Sequence, residues 1–147
     1  MNRKEILSKI TEEQQRVIDC LKQSVERYKI ASDLDEDDTS DPDDSARQTQ
    51  AKDMQLRYEK LLQKEKNDME FVLSQNENSH QEIELGSLVE TEKHLFFLGV
   101  ALPVIKGNAK EIYCISPEAP IYKNLLNKKI GDSVQVGNST FEIISIS

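Results

Sequence analysis

Asp33-Leu-Asp-Glu-Asp-Asp-Thr-Ser-Asp-Pro-Asp-Asp44 decides how the chain is organised. Eight of these twelve residues are acidic and none is basic. Pro42 removes a backbone donor and disfavours a helical conformation at Asp41, so a helix cannot run through the segment undisturbed. Thr39, Ser40 and Asp41 are turn formers and helix caps. The stretch is the break between two helix-patterned segments.

On the N-terminal side, residues from about Lys4 to Ala31 read as one helix. Leu7, Leu21 and Tyr28 are seven or fourteen apart, as are Ile10, Val17 and Ala31, with Ile18 and Val25 widening the stripe. This is an a/d-like pattern, interrupted by Gln14 and Ser24. On the other side, about Asp43 to Leu73 carries Ala51, Tyr58 and Val72 at the same spacing, with Met54, Leu61, Leu62 and Met69 beside them. Two similar helices around a short break predict an antiparallel hairpin, a coiled coil with its acidic tip at 33–44. At about 1.5 Å per residue the arm is roughly 40 Å long.

The chain has 147 residues, 27 acids, 19 bases and a net charge of −8. Removing the eight acids of the tip leaves 19 against 19, so that segment holds the entire imbalance. Such a charge suits holding a cation or entering a basic cavity. Direct binding to nucleic acid is not expected, because phosphate contacts need Lys and Arg. The alternative is a solvated acidic loop that only keeps an adaptor protein soluble. No stretch approaches the apolar length of a membrane span or a signal peptide, and the expectation is a cytoplasmic protein. Cys20 and Cys114 lie in different segments and read as reduced core residues. His80 and His94 lack metal-ligand spacing and read as a linker and a strand residue, and no four-cysteine zinc cluster is present.

The polar run Ser74–Gln81 marks a junction. It divides the chain into a hairpin over 1–76, a linker over 77–81 and a domain over 82–147. In the last part the period changes to that of strands: Gly86–Glu90, His94–Ala101, Glu111–Ser116, and a closing hairpin from Ser133–Val136 to Thr140–Ile144. Pro120 to Lys129 reads as a short helix stopped by Gly131. The fold class is α+β, a long helical hairpin followed by a small antiparallel-sheet domain.

Ile115-Ser-Pro-Glu-Ala-Pro-Ile-Tyr-Lys-Asn-Leu-Leu-Asn-Lys-Lys-Ile-Gly-Asp-Ser-Val134, followed by Phe141-Glu-Ile-Ile-Ser-Ile146, resembles the C-terminal domain of the bacterial Gre transcription factors, GreA and GreB. There an Ile-Ser-x-Asp-Ser-Pro segment leads into a helix ending in Gly-Lys-x-x-Gly-Asp. The order of hairpin and domain is also the same, so the resemblance covers nearly the whole chain. It extends to the shorter, divergent Gre-like factors of Bacteroidetes-type bacteria.

The resemblance implies an FKBP-like C-terminal domain that docks on RNA polymerase, while the coiled coil enters the secondary channel. Tip acids there help hold a Mg²⁺ shared with the polymerase and stimulate its own cleavage of backtracked RNA. The protein is then an accessory factor rather than an enzyme, with no cofactor bound stably on its own. Nucleic acid is met only through the elongation complex, and the hairpin is compatible with a monomer. The family's tip pattern, Gly-Asp-Leu-x-Glu-Asn-Ala-Glu-Tyr, laid on Ser40-Asp-Pro-Asp-Asp-Ser-Ala-Arg-Gln48, places its two acids on Asp41 and Asp44, with Asp37 and Asp38 as further candidate ligands. Asp44 stands in place of Glu, and Pro42 in place of Leu.

The docking turn falls on Glu118, Ala119 and Pro120, where the family has Asp-Ser-Pro. The plainer alternative is a helix start, with Ser116 as cap and Pro117 in the first turn. Two other functions stay open. One is a channel-binding inhibitor that does not stimulate cleavage. The other is a peptidyl-prolyl isomerase, for which Phe96, Phe97, Tyr113, Tyr122 and Phe141 are the available aromatic side chains.

Overall fold

A computed structural model of the protein describes residues 2–33, 42–107 and 109–147, with the side chains of 42–45 outside that description. Two helices come first, α1 (Arg3–Asp33) and α2 (Pro42–Ser74). Neither contains Gly, and the one Pro, Pro42, opens α2, where its missing N–H costs nothing. A 3₁₀ turn, Gln75–Glu77, follows. The strands are β1 (Leu88–Thr91), β2 (His94–Leu98), β3 (Leu102–Lys106), β4 (Glu111–Ile115), β5 (Ser133–Val136) and β6 (Ser139–Ile146), with α3 (Pro120–Leu125) between β4 and β5. The protein is therefore α+β, a helical hairpin followed by a six-stranded sheet.

Two compact units make up the chain. One is Gln15–Asn67, the distal part of both helices; the other joins Met1–Gln14 to Asp68–Ser147. Within the first unit the helices run antiparallel. Tyr28 stacks on Tyr58 with ring centroids 5.5 Å apart, and one turn further on Ser32 Oγ donates to Gln55 Oε1 at 3.3 Å. The seam follows the predicted spacing through Leu21, Val25 and Tyr28 on α1, and through Ala51, Met54, Tyr58 and Leu62 on α2. It departs at two places. Leu61 is exposed, because its neighbour Leu62 takes the seam position, and Ala31 yields its place to Ser32.

The second unit is built on the sheet, ordered β3-β4-β2-β1-β6-β5. Four neighbouring pairs are antiparallel, as the strand pattern predicts, whereas β2 and β4 run parallel, from His94 opposite Glu111 to Leu98 opposite Ile115. The parallel pair arises because β3, which the strand pattern had not marked, lies outside β4. Pro103 obscures β3 in the sequence and explains its place, since a residue without an N–H fits an edge strand. β6 is long enough to pair with β5 through Ser139–Glu142 and with β1 through Ile143–Ile146.

Both faces of the central strands are covered. Leu88, Leu95, Phe97, Ile112 and Cys114 point to one face, where they pack with Ile6, Leu7, Ile10 and Val72 from the helix bases. Val89, Phe96, Leu98 and Ile115 point to the other, with Leu125, Val134 and Ile143. A strand buried on both sides reads as a continuous apolar run, as Leu95-Phe-Phe-Leu98 does. Gly99 adopts φ +139, and a Cβ there would collide with the Phe71 ring, so glycine lets α2 lie close against the sheet. Burial pushes the Cys114 thiol up to about 12, with the Glu13 charge adding to the effect.

Two outcomes follow from this packing. Leu7→Ala is expected to lower unfolding free energy by about 2–5 kcal/mol, read from the urea midpoint at unchanged slope, because the residue is fully buried. A loss below that range would mean Leu7 is not core. At neutral pH an aromatic disulfide reagent is expected to modify exposed Cys20 promptly in the native protein and Cys114 only after denaturation. Prompt reaction of both thiols would contradict the buried assignment.

Candidate functional site

The turn singled out by resemblance, Glu118–Pro120, lies between β4 and α3. Ile115, the last residue of β4, is buried in the sheet's second core cluster, and the chain emerges from it through Ser116-Pro-Glu118. The Ala119 N–H donates to the Ser116 carbonyl at 3.1 Å, closing the turn. Ala119 is extended, with φ −71 and ψ 140, and Pro120 takes the first helical position. The helix thus starts three residues later than a Ser116 cap would place it. Ser116 serves the turn through its backbone carbonyl, and no side chain caps α3.

These residues have distinct roles. Ala119 is half-buried and packs against the second cluster together with Ile121 and Tyr122. Glu118 and Pro120 are exposed on either side of it. Among the described residues Glu118 has no hydrogen-bond or ion-pair partner. The result is an exposed carboxylate on a turn closed by one backbone hydrogen bond and followed by half-buried Ala119 and then Pro120.

The tip residues lie differently. Asp37, Asp38 and Asp41 are outside the described residues. Asp44 belongs to the first turn of α2, and its side chain is outside the description. Among the described residues no group of three or more His, Cys, Asp and Glu side chains is placed to hold a metal. No described helix is long and apolar enough to cross a membrane.

The five aromatic side chains do not gather in one place. Phe97 is fully buried beneath the helix bases. Phe96, Tyr113 and Phe141 surround His94, with ring centroids 4.9–6.0 Å from the imidazole. Tyr122 is on α3. The Tyr113 hydroxyl donates to Glu111 Oε2 at 2.9 Å, and this bond to a carboxylate raises the phenol above its usual range.

Several polar contacts that hold the turn's platform have no local sequence signal. Arg3 donates through Nε to the Asn78 carbonyl at 2.8 Å and through one terminal nitrogen to the Ser147 carbonyl at 2.9 Å. Its other terminal nitrogen donates to the Gly86 carbonyl at 2.9 Å and the Gln75 carbonyl at 3.3 Å. Partial burial lowers the affinity of this guanidinium for its proton, although arginine stays charged. His80 is not a plain linker residue. Its Nδ1 is 2.6 Å from Glu84 Oε1 and its Nε2 2.9 Å from Gln75 Oε1. Across the sheet, Lys110 donates to Glu90 Oε1 at 2.8 Å and to the Thr91 carbonyl at 2.7 Å, and the Ser145 hydroxyl donates to Glu90 Oε2. The Lys110 bond holds the Glu90 carboxyl below its usual range against the opposing effect of burial.

No protein-family model matches the chain, and no curated protein does. Among solved structures, GreA factor homolog 1 of Thermus thermophilus is similar, with 21% identity over 93% of this chain and 94% of that one and a TM-score of 0.37. A structure of the transcription factor Gfh1 is similar at 24% identity over 92% of each chain, with a TM-score of 0.35. Both bear the name of a GreA homologue, and the Ile115–Val134 segment resembles the Gre family.

Proposed function

We propose that the protein is a transcription elongation factor of the Gre type that binds bacterial RNA polymerase in the cytoplasm. The domain after the hairpin docks through Glu118, Ala119 and Pro120. The acidic segment enters the polymerase's secondary channel, and the polymerase's own nuclease activity toward backtracked RNA rises. The protein is an accessory factor in this reading, not an enzyme, and acts as a monomer.

One observation carries the proposal. The whole net charge of −8 lies in Asp33–Asp44, between two helices whose bases are packed into the domain that bears the Gre-like segment. That arrangement carries an acidic effector segment and a candidate docking module on one chain. Asp41 and Asp44 are three apart in the sequence, a spacing that suits two carboxylates sharing one ion. Their carboxylates are the hard oxygen donors that Mg²⁺ takes, one or two at a time with waters completing the shell. A Mg²⁺ shared with the polymerase would supply activation of the attacking water and stabilisation of the developing charge. The chain's own part is to bring two oxygen ligands to the ion and hold them there.

A second reading has the same docking and channel entry but inhibits transcription without promoting cleavage. It is favoured by Asp44 and Pro42, which stand where the resembling family has Glu and Leu. Aspartate is one methylene shorter, so the second acid reaches less far.

The deciding experiment uses a backtracked elongation complex of the cognate polymerase with 3′-labelled RNA. Release of short 3′ fragments is expected with the protein and is expected to vanish with Asp41→Asn/Asp44→Asn, while folding and polymerase binding persist. Slower intrinsic cleavage or extension without fragment release would select the inhibitor. Neither effect, together with no binding, would overturn both readings. Separately, Glu118→Lys is expected to weaken polymerase binding on the order of tenfold at low salt and less at high salt, as for an exposed charge at an interface. Unchanged affinity at every salt concentration would remove Glu118 from the docking surface.

A further inference from the structure

On the sheet domain, away from the docking turn, a groove of about 510 Å³ runs between α3 and the β5–β6 hairpin. Its lining includes Lys123 and Asn124 from α3, Lys128 from the segment after it, Ser133 from β5 and Thr140 from β6. No acidic residue lines it, on a chain where acids outnumber bases 27 to 19. The backbone accounts for the grouping. Ser133 and Gln135 share one face of β5 by the two-residue period, and Thr140 is directly across from Gln135. Asn127 takes a left-handed conformation, φ 67, just after α3 and redirects the chain at Lys128.

Lys128 is the unusual member. It is half-buried, and it also lines a second cavity of about 230 Å³ with Glu82, Asn127 and Lys129. Partial burial of a lysine is mainly that of its aliphatic stem, which leaves the ammonium free to meet an anion. Among the described residues no carboxylate lies within ion-pair distance of Lys128 or Lys123. The side chains of Asn124, Ser133 and Thr140 likewise make no hydrogen bond among the described residues. Gln135 is partly spent, donating to the Gly137 carbonyl at 3.5 Å. The acids nearby do not close the groove. Asp132 accepts from the Lys129 N–H at 2.8 Å, Glu82 lines the smaller cavity, and Glu142, paired with Ser133 across the hairpin, is exposed and does not line the groove.

We propose that this groove is a binding site for a phosphate-dense oxyanion, held by Lys123 and Lys128 with the Ser133 and Thr140 hydroxyls and the Asn124 amide as further donors. Two ammonium groups beside hydroxyl and amide donors, with no partner among the described residues, suit the many oxygens of a phosphate group. No aromatic side chain lines the groove, so it offers no face on which a nucleobase would stack. The groove is open to solvent and has room for a di- or polyphosphate.

The test is a titration of the full-length protein with inorganic pyrophosphate, followed by backbone amide chemical shifts at constant ionic strength. Saturable shifts confined to residues 123–128, 133–135 and 140 are expected. Lys128→Gln is expected to weaken binding at least about tenfold with the fold intact by circular dichroism, Lys128→Arg to retain it, and the distant Lys93→Gln to leave it unchanged. Shifts that do not saturate, that map elsewhere, or that survive in Lys128→Gln would overturn the site. Saturation by an oligoglutamate but not by pyrophosphate would overturn the assignment to phosphate and make the groove an acidic-peptide site.

Discussion

Ile6, Leu7 and Ile10 enter the sheet's core together with Val72, and the rest of the structure depends on that contact. Without it the sheet would expose Leu88, Leu95, Phe97 and Ile112 on one face, and each helix base would lose its partner. Arg3 reinforces the contact with directional bonds. Its guanidinium reaches carbonyls of Gln75, Asn78, Gly86 and Ser147, which lie 72 to 144 residues away in sequence. A half-buried cation would destabilise the site if unpaired. Here the carbonyl dipoles take up its donors, so its requirement for acceptors pins three separate parts of the chain.

The helix bases take one face of the sheet, and this leaves the other to α3 and the turn before it. Ile115 and Leu125 anchor the two ends of that stretch in the second core cluster, and Ala119 packs between them. Glu118 and Pro120 are thereby held outward by buried neighbours, without side-chain bonds of their own. A surface fixed in this way can meet a partner without first paying to order itself. The β5–β6 hairpin closes the far side of α3. The same packing that presents the turn therefore also forms the lysine-bearing groove, and the two features occupy different ends of one six-residue helix.

The helices were legible because their signals are local and repeated. Most seam residues are seven or fourteen positions from another, and one acidic, proline-bearing stretch interrupts them. β1, β2, β4 and β5–β6 were legible from apolar runs bounded by Gly and polar residues. β3 was not, because Pro103 argues against a strand unless its edge position is known. The parallel pairing of β2 with β4 was not, because alternation along a strand says nothing about the direction of its neighbour. In the turn before α3, Glu118, Ala119 and Pro120 could be picked out by resemblance, but the helix start could not, since Ser116 and Ala119 both precede a proline. His80 looked like a linker residue because its partners, Gln75 and Glu84, carry no metal or catalytic spacing.

By itself the sequence determined the helical hairpin, the acidic segment between its helices, the strand-rich second half and the chemistry available at the tip. Each follows from periodicity or charge within a short window. The tertiary structure decided strand order, the edge position of β3, the Arg3 contacts and which side chains around α3 remain unpaired. These depend on contacts between residues far apart in the chain, and no local pattern encodes them. That Lys128 has no ion-pair partner among the described residues is a property of its surroundings after folding, which come from α3, β5 and β6 together.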